Sequence, residues 1–422
     1  MKVALYWTAA WVLATGIRAS AQDMRAMSAM PTPVAQLIAE AEANNTQISA
    51  ADHSWKAATH VAQQVTTLPD PQFTVQQFSV GSPKPFAGFS NSDFAYIGLG
   101  ASQDLPYPGK LRLKGEIANR EADTQHAQAD VLRSSIAEQI KLVYLRLAYL
   151  DATLAILYQN DAVLQPLIQS GLSRYSVGQG SQADVLKAQI EHTKILREVT
   201  MHHQEMGQLQ ADLKQLLHRS QDTEDILPEQ LAASSLRYTS EELQALVQSH
   251  NPAVHRDATA VQKQDAQLKS AQRDGKPDFN VGYMFQQTGS GYRDYYQLSL
   301  NMRLPRRKRV EGEIAEATER LSQSKQELDS QTQQQLAEVQ KEYIAVTSTE
   351  ELLKEYQEGL IPQANAAFHS EEAAYQSDKQ QFAPVLSSLL DVLSFEHDYQ
   401  QALFDHETAL AHLETLTGAT LR

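Results

Sequence analysis

Two stretches in the second half of the chain alternate apolar and polar residues with the period of a β-strand. In the first stretch the apolar positions are Phe279, Val281, Tyr283 and Phe285, with Met284 the one apolar exception on the polar side. After the turn-prone sequence TGSGYRD at 288–294, they are Tyr296, Leu298, Leu300, Met302 and Leu304. About ten residues of such alternation per strand is typical of a membrane β-hairpin. Residues 73–78 and 95–101, around a Gly/Pro/Ser loop at 81–92, repeat the pattern less regularly, with a phase slip at Phe78.

Long amphipathic helices follow each predicted hairpin. Between residues 131 and 172, apolar residues recur at steps of mostly three and four, which predicts one helix with a single apolar stripe. We predict that this helix runs from Lys110 to Tyr175, about 100 Å, with Pro166 as a candidate kink. A second helix, from Ser181 to about His218, returns antiparallel after the turn SVGQGS. Helices of this length need neighbours along the whole stripe, which indicates assembly.

The two halves of the chain are repeats of one unit. The sequence GEIA occurs at 115–118 and at 312–315, each time shortly after a Leu-Pro, and other matches recur at offsets of 206 and 200 residues. We expect Leu-Pro to end a strand and the glycine to allow close passage of a neighbouring backbone. The predicted divisions are a signal peptide (1–21), a flexible leader (22–32), a first repeat (33–226), a linker (227–238) and a second repeat (239–422).

The start of the chain predicts export. Lys2 is followed by an apolar run at 3–17, then Arg18 and the small residues ASA, as in a secretory cleavage site. An N-terminal membrane anchor is the weaker interpretation, because the run is shorter than the ~20 residues that span a bilayer. Cleavage removes two positive charges and changes the net charge from −15 to −17, which disfavours a nucleic-acid partner. Without cysteine, the chain has no disulfide, thiolate metal site or lipid-anchored cysteine.

Four strands cannot form a stable membrane structure alone. The smallest outer-membrane barrels have about eight strands, and an open sheet would expose unpaired edges to lipid. The chain must therefore pool its strands with copies of itself, and three copies would supply twelve strands.

Three short motifs of the chain resemble those of a known protein family. The sequence YSVGQGSQADVL matches the tip pattern of the outer membrane factor family, the TolC-like channels of tripartite efflux systems, at Tyr175, Gly178, Asp184, Val185 and Leu186. The ending LETLTG at 413–418 is similar to the usual close of the family, and the resemblance covers essentially all of the mature chain. The segment SQDLPYPGK at 102–110 resembles the heavy-metal (CusC/CzcC-like) branch.

The resemblance implies a mainly α fold with a small β part, built from a duplicated helix, β-hairpin and long helical hairpin. It implies a homotrimer, in which a 12-stranded β-barrel in the outer membrane continues as an α-helical barrel into the periplasm. The implied partners are outer-membrane lipid, a periplasmic adaptor (membrane fusion protein) and an inner-membrane RND-type pump. The implied function is passive conduction of exported solutes, without a cofactor or a catalytic or metal site.

The resemblance also implies a gate at the periplasmic tips, where acids, a tyrosine and a basic residue tie neighbouring helices together. The tip and gate candidates are Tyr175, Gly178, Asp184, Tyr375, Asp378 and Lys379. For the two tyrosines, ordinary packing between helices is the alternative. The constricting acids of the family would fall at Pro384 and Ser387, so Asp378 or Asp391 is the remaining substitute.

Other functional classes explain less of the sequence. The chain has no nucleophile elbow, HExxH motif, phosphate loop or Cys/His cluster, which argues against an enzyme. A periplasmic coiled-coil adaptor or scaffold without channel activity would explain the helices but not two copies of hairpin plus strands. For cargo, heavy-metal ions are the first candidate, followed by drugs, dyes and other small organic molecules.

Two local motifs each have two possible functional interpretations. Met24, Met27 and Met30 could present thioethers to Cu(I) or Ag(I), although the same segment also has the composition of a flexible leader. RRKR at 306–309 could be a nucleic-acid patch, but snorkelling to lipid phosphates is favoured because it follows a strand in an exported acidic protein. Lys110, Arg112 and Lys114 occupy the equivalent place in the first half.

Overall fold

The computed structural model describes residues 31–78, 95–288 and 294–421. The first repeat contains α1 (Val34–Asn44), α2 (Thr46–Thr66), β1 (Gln72–Phe78), β2 (Tyr96–Leu105), α3 (Lys110–Ser176) and α4 (Gln182–Leu216). The second contains α5 (Ser240–His250), α6 (Pro252–Asp274), β3 (Asp278–Thr288), β4 (Asp294–Arg303), α7 (Arg307–Glu355), α8 (Ile361–Gln376) and α9 (Phe382–Thr417). The predicted order of helix, β-hairpin and long helical hairpin is therefore confirmed in both repeats. The predicted signal peptide, the methionines of the leader and the loop at 81–92 lie outside the described residues.

The long helix of the first repeat has nearly its predicted bounds. It contains 67 residues and continues through Pro166. Its counterpart in the second repeat is interrupted by a π-helical turn at Tyr356–Leu360, immediately before α8. Pro362 lies in the first turn of α8, and its ring would clash with the carbonyl of Glu358 in a regular helix. The wider π turn places Glu358 differently and so accommodates the proline. Periodicity in the sequence did not indicate this interruption.

The four strands form one antiparallel sheet in the order β1-β2-β3-β4. The pairing of β2 with β3 joins the two repeats, with Leu99 opposite Phe285 and Leu105 opposite Phe279. Within the described residues, β1 and β4 are each paired along one edge only. In the part of the chain that the structure describes, the outer edge of each of these strands is therefore open to pairing with a further strand.

The two faces of the sheet differ in polarity, as the alternation predicted. Large apolar side chains on one face are highly exposed: Phe73, Val75, Leu99, Tyr296, Leu298, Leu300 and Met302. The opposite face carries glycine and polar residues, such as Gly98 opposite Gln76 and Gln286. The predicted phase slip brings Phe78 onto this second face, where its ring stacks on Tyr96 with centroids 5.7 Å apart. Among the described helices, none is both long and apolar enough to cross a bilayer.

The chain divides into two compact units, and each contains parts of both repeats. The helical unit comprises the described residues up to Thr46 together with 133–244 and 338–421, and the sheet unit comprises 47–132 and 245–337. The predicted repeat boundaries stay a prediction, since contacts across the repeats hold each unit together.

A buried lysine joins the two repeats in the sheet unit. The Lys110 ammonium, only 7% exposed, lies 2.9 Å from an Asp278 carboxylate oxygen and donates a hydrogen bond to the Lys276 carbonyl at 2.8 Å. The same carboxylate accepts the backbone N–H of Tyr107 at 2.9 Å. Lys110 therefore points inward and does not snorkel, because this desolvated ammonium needs the ion pair.

The two GEIA motifs have different environments in the sheet unit. A Cβ atom at position 115 would overlap the Thr66 side chain at the end of α2, so the first repeat has a close contact here, but with a side chain and not with the neighbouring backbone that was expected. At Gly312 nothing lies within 4 Å of the equivalent point. Among the described residues, a steric reason for glycine therefore exists in the first copy and not in the second.

The helical unit has an extended apolar core between its long helices. Leu164 of α3, Ala188 of α4, Phe368 of α8 and Val385 of α9 belong to one buried cluster. The predicted linker is held by polar contacts: Ser234 donates its backbone N–H to Glu407 and accepts a hydrogen bond from the buried His406 ring, each at 2.7 Å.

An ionisable cluster joins three helices of the same unit. The His412 ring on α9 lies 2.7 Å from a carboxylate oxygen of Glu138 on α3. This hydrogen bond raises the pKa of His412. Burial raises the pKa of Glu342 on α7, with smaller contributions from Glu338 and Glu138, although the charge of His412 acts in the opposite direction. Both groups therefore favour their protonated forms in the folded protein.

We predict that the free energy of unfolding falls as the pH rises. Glu342 begins to lower stability above its ordinary pKa, near 4.5, because its ionisation is disfavoured by folding. The contribution of His412 is complete below about pH 6.5 and is lost as the pH rises through its higher folded pKa. Thermal unfolding of the wild type and of His412→Gln, followed by circular dichroism from pH 5.5 to 9, measures this. The variant should lose less stability across the range.

The matched control is His369→Gln, which removes a ring that is 71% exposed and 3.7 Å from Glu372. Its pH profile should follow the wild type. Parallel profiles for the wild type and His412→Gln would contradict the prediction.

Candidate gate at the turns of the helical hairpins

The two helical hairpins of the chain end in turns with the same backbone hydrogen bonds. After α3, the N–H of Gln179 donates to the carbonyl of Arg174 at 2.9 Å, and after α8 the N–H of Lys379 donates to the carbonyl of Ala374 at 2.9 Å. This bond from the sixth residue back to the first is the Schellman pattern that ends many helices. The turns therefore occupy equivalent positions in the two repeats, 200 residues apart.

The equivalent turns differ at the residue that must adopt a left-handed conformation. The first repeat has Gly178 there, with φ +75°, whereas the second has Asp378, with φ +60°. A side chain in this region costs about 1 kcal/mol, although aspartate tolerates it better than most residues. A contact of the Asp378 carboxylate offsets this cost.

That contact is with Arg174, at the end of the other hairpin. One guanidinium nitrogen lies 2.6 Å from a carboxylate oxygen of Asp378. Another donates a hydrogen bond to the backbone carbonyl of Tyr375 at 2.7 Å. The guanidinium also lies over the Tyr375 ring, 4.1 Å from its centroid. A single arginine thus binds a carboxylate, a carbonyl and an aromatic face across the two hairpins, and we name Arg174, Tyr375 and Asp378 the tip clasp.

The two predicted tyrosines have different environments. Tyr375 is buried, at 4% exposure, and packs edge to face against Phe382, with ring centroids 5.8 Å apart. Tyr175 is 43% exposed. Among the described residues, the Tyr375 hydroxyl has no hydrogen-bond partner, so its ring and carbonyl make the contacts to Arg174.

Asp184 and Lys379 contribute to the same region without joining the tip clasp. Both line a cavity of about 890 Å³ between the turns, together with Asp378 and Gln381. Asp184 is half-buried in the first turn of α4, and Lys379 is exposed. Neither makes an ion pair within the described part of the chain.

The positions where the family would have constricting acids lie on α9. Pro384 is half-buried in its first turn, and Ser387 is exposed. Asp391 is also exposed, further along the same helix. Of the two proposed substitutes, Asp378 is the one in contact with the other hairpin.

Sequence reasoning missed Arg174. Its signal lay in the difference between the repeats, because the residue before the tyrosine is Arg174 in the first and Ala374 in the second. The glycine of one turn likewise corresponds to Asp378 in the other. Two complementary charges at non-equivalent places of a repeat would have indicated a contact between the hairpins. Over the described residues, no group of three or more His, Asp or Glu side chains is placed to hold a metal ion.

The profile of the outer membrane efflux protein family matches residues 37–218, almost the whole first repeat. No curated protein sequence matches the chain significantly.

Solved channels have the same fold over most of their length. The outer membrane protein VceC of Vibrio cholerae is 18% identical, with a TM-score of 0.77 over 92% of this chain and 97% of that one. CusC is 15% identical, with a TM-score of 0.78 over 92% and 93% of the two chains. The CmeC channel of Campylobacter jejuni is 10% identical, with a TM-score of 0.76 over 92% and 86%. The first repeat therefore matches the outer membrane efflux protein family, and the chain as a whole has the fold of these solved outer-membrane channels.

Proposed function

We infer that the chain is the outer-membrane channel of a tripartite efflux pump. The observation that carries this inference is the sheet with one exposed apolar face, one polar face and two outer strands that, among the described residues, pair along one edge only. The apolar face is suited to lipid and the polar face to a water-filled interior. Because unpaired edges are prohibitively unfavourable in lipid, each β4 must pair with the β1 of another copy. Three copies give the 12-stranded barrel that the family resemblance implies.

The long helical hairpins extend this route into the periplasm. Their turns would meet a periplasmic adaptor coupled to an inner-membrane RND-type pump, which supplies the energy. The channel itself catalyses no reaction and conducts passively. A periplasmic scaffold would leave the apolar face of the sheet without a role.

The tip clasp is our candidate for the gate. It joins the two hairpins of one chain at their ends, so the hairpins cannot separate there without breaking it. The ion pair is partly exposed and contributes little alone, since the Asp378 side chain is 74% exposed. The hydrogen bond from a charged donor and the cation–π contact bring the clasp to about 2 kcal/mol.

We predict that the protein behaves as a membrane-embedded trimer. Membrane-extracted protein should run as a trimer without heating and as a monomer after boiling, because the barrel has no free edge to open from. Gel mobility before and after heating measures this. Recovery as a detergent-independent soluble monomer would support the scaffold instead.

We predict that Arg174→Gln increases single-channel conductance or open probability in planar bilayers. Loss of about 2 kcal/mol shifts the ratio of closed to released hairpin ends by roughly thirty-fold in each chain, and a trimer contains three such chains. The matched control is Tyr375→Phe, which keeps the ring and the carbonyl that contact Arg174, so it should stay close to the wild type. A larger effect of Tyr375→Phe than of Arg174→Gln would assign the gate to the tyrosine hydroxyl instead of the clasp. Equal conductance of all three proteins would refute the assignment.

We predict that deletion of the gene sensitises cells to heavy-metal salts more than to antibiotics. The strongly negative mature chain favours cations near the tunnel, consistent with the branch resemblance. Growth against copper, silver, cobalt and zinc salts, beside an antibiotic panel, measures the cargo. Sensitivity to antibiotics alone would reject metal ions.

A further inference from the structure

A dense group of positive charges lies where β4 passes into α7. Of the seven residues at 303–309, five are basic and none is acidic, in a chain whose net charge is −15. We name these five the basic collar: Arg303, Arg306, Arg307, Lys308 and Arg309. All are exposed. Such a concentration in an acidic protein indicates an anionic partner.

The basic collar directly continues the exposed apolar face of the sheet. Leu300, Met302 and Leu304, which precede or interleave with it, are 69%, 54% and 67% exposed. A ligand that covers both surfaces must have an apolar part and a negatively charged end. A phospholipid in the leaflet beside the sheet meets this requirement, whereas inorganic phosphate and nucleic acid leave the apolar side chains uncovered.

Much of the positive charge in the collar is available for a ligand. Arg307 pairs with Glu311 at 2.7 Å, one turn along α7, and Arg309 pairs with Glu313 in the same way. Within the described part of the chain, Arg306 makes no such pair, and neither does Lys308. Exposed pairs of this kind are weak enough to exchange for a phosphate.

Three of the arginines line one cavity of about 580 Å³. Its wall contains Arg303, Arg306 and Arg309, and Lys110, Asp274 and Asp278 also face it. Two carboxylates therefore oppose four cations. Lys110 neutralises Asp278 and Glu313 neutralises Arg309, so Arg303 and Arg306 remain against Asp274, and this positive balance suits one phosphate.

We propose that the basic collar binds the phosphate group of anionic phospholipids in the membrane leaflet beside the strand–helix junction. The proposal rests on the membrane position of the sheet under the proposed function. Arginine forms paired hydrogen bonds to phosphate oxygens, and the adjacent apolar residues contact the acyl chains. The first repeat offers a weaker counterpart, since Lys110 is buried and only Arg112 and Lys114 are exposed.

The test uses the full channel purified in detergent. Thermal unfolding is followed while phosphatidylglycerol, phosphatidylcholine or inorganic phosphate is added at low ionic strength. The test variant is Arg306→Gln/Arg309→Gln. The matched control is Arg320→Gln/Lys325→Gln, which removes the same charge from exposed sites further along α7. Like the test variant, it breaks one ion pair along the helix, here between Arg320 and Glu316.

We expect phosphatidylglycerol to stabilise the wild type and the control, and phosphatidylcholine to do so much less. The test variant should need about thirty-fold more phosphatidylglycerol, since each basic residue near an anionic surface contributes a factor of about five. The same midpoint for the test variant and the control would overturn the proposal. So would equal effects of the two lipids, or full stabilisation by inorganic phosphate.

A separate measurement distinguishes failure of the collar from failure of the proposed function. Insertion and conductance are recorded in phosphatidylcholine bilayers. Wild-type protein that forms pores but has no preference for anionic lipid refutes the collar alone. Wild-type protein that does not insert at all refutes the channel as well.

Discussion

Backbone hydrogen bonding in lipid is the constraint on which the rest of the architecture depends. A bilayer offers no water to backbone N–H and C=O groups, and in the described part of the chain the outer edges of β1 and β4 pair with no other strand, so the sheet needs further strands. The pairing of β2 with β3 already shows how the problem is solved inside the chain, because it joins the hairpins of two repeats edge to edge. Repetition of that solution between chains closes the sheet. The number of strands in one chain, the duplication of the hairpin and the assembly of several chains therefore follow from one requirement.

The contacts between repeats are of two kinds. In the sheet unit, the buried Lys110 ammonium and the Asp278 carboxylate form a permanent connection, since separation would leave a charge in a poorly hydrated place. At the hairpin turns, the ion pair between Arg174 and Asp378 is largely hydrated on the carboxylate side. The first contact is suited to holding the structure together and the second to opening. This difference in exposure supports the tip clasp, and not the Lys110 ion pair, as the proposed gate.

Much of the fold could be predicted because the helices and strands follow from the spacing of apolar residues along the sequence. The apolar stripe gave the long helix to within one residue at Ser176, and period-2 alternation identified both hairpins. The π turn before Pro362 was not predictable in the same way, since a proline in a helix can also be accommodated without a change of pitch, as Pro166 is. Arg174 was missed because periodicity reports which face a residue occupies and not which distant turn lies opposite. The tip candidates were found by resemblance, but their contacts required the structure.

The substitution of aspartate for glycine in the second turn has a consequence for symmetry. Two repeats with identical turns would give a ring of three chains six equivalent ends. Because the second turn carries the charged Asp378 and Lys379 where the first has Gly178 and Gln179, the turns alternate between a charged and an uncharged kind around such a ring. A docking protein with six identical subunits would then contact two chemically distinct kinds of binding site. It would have to bind them in alternating orientations, or leave every second one less tightly occupied.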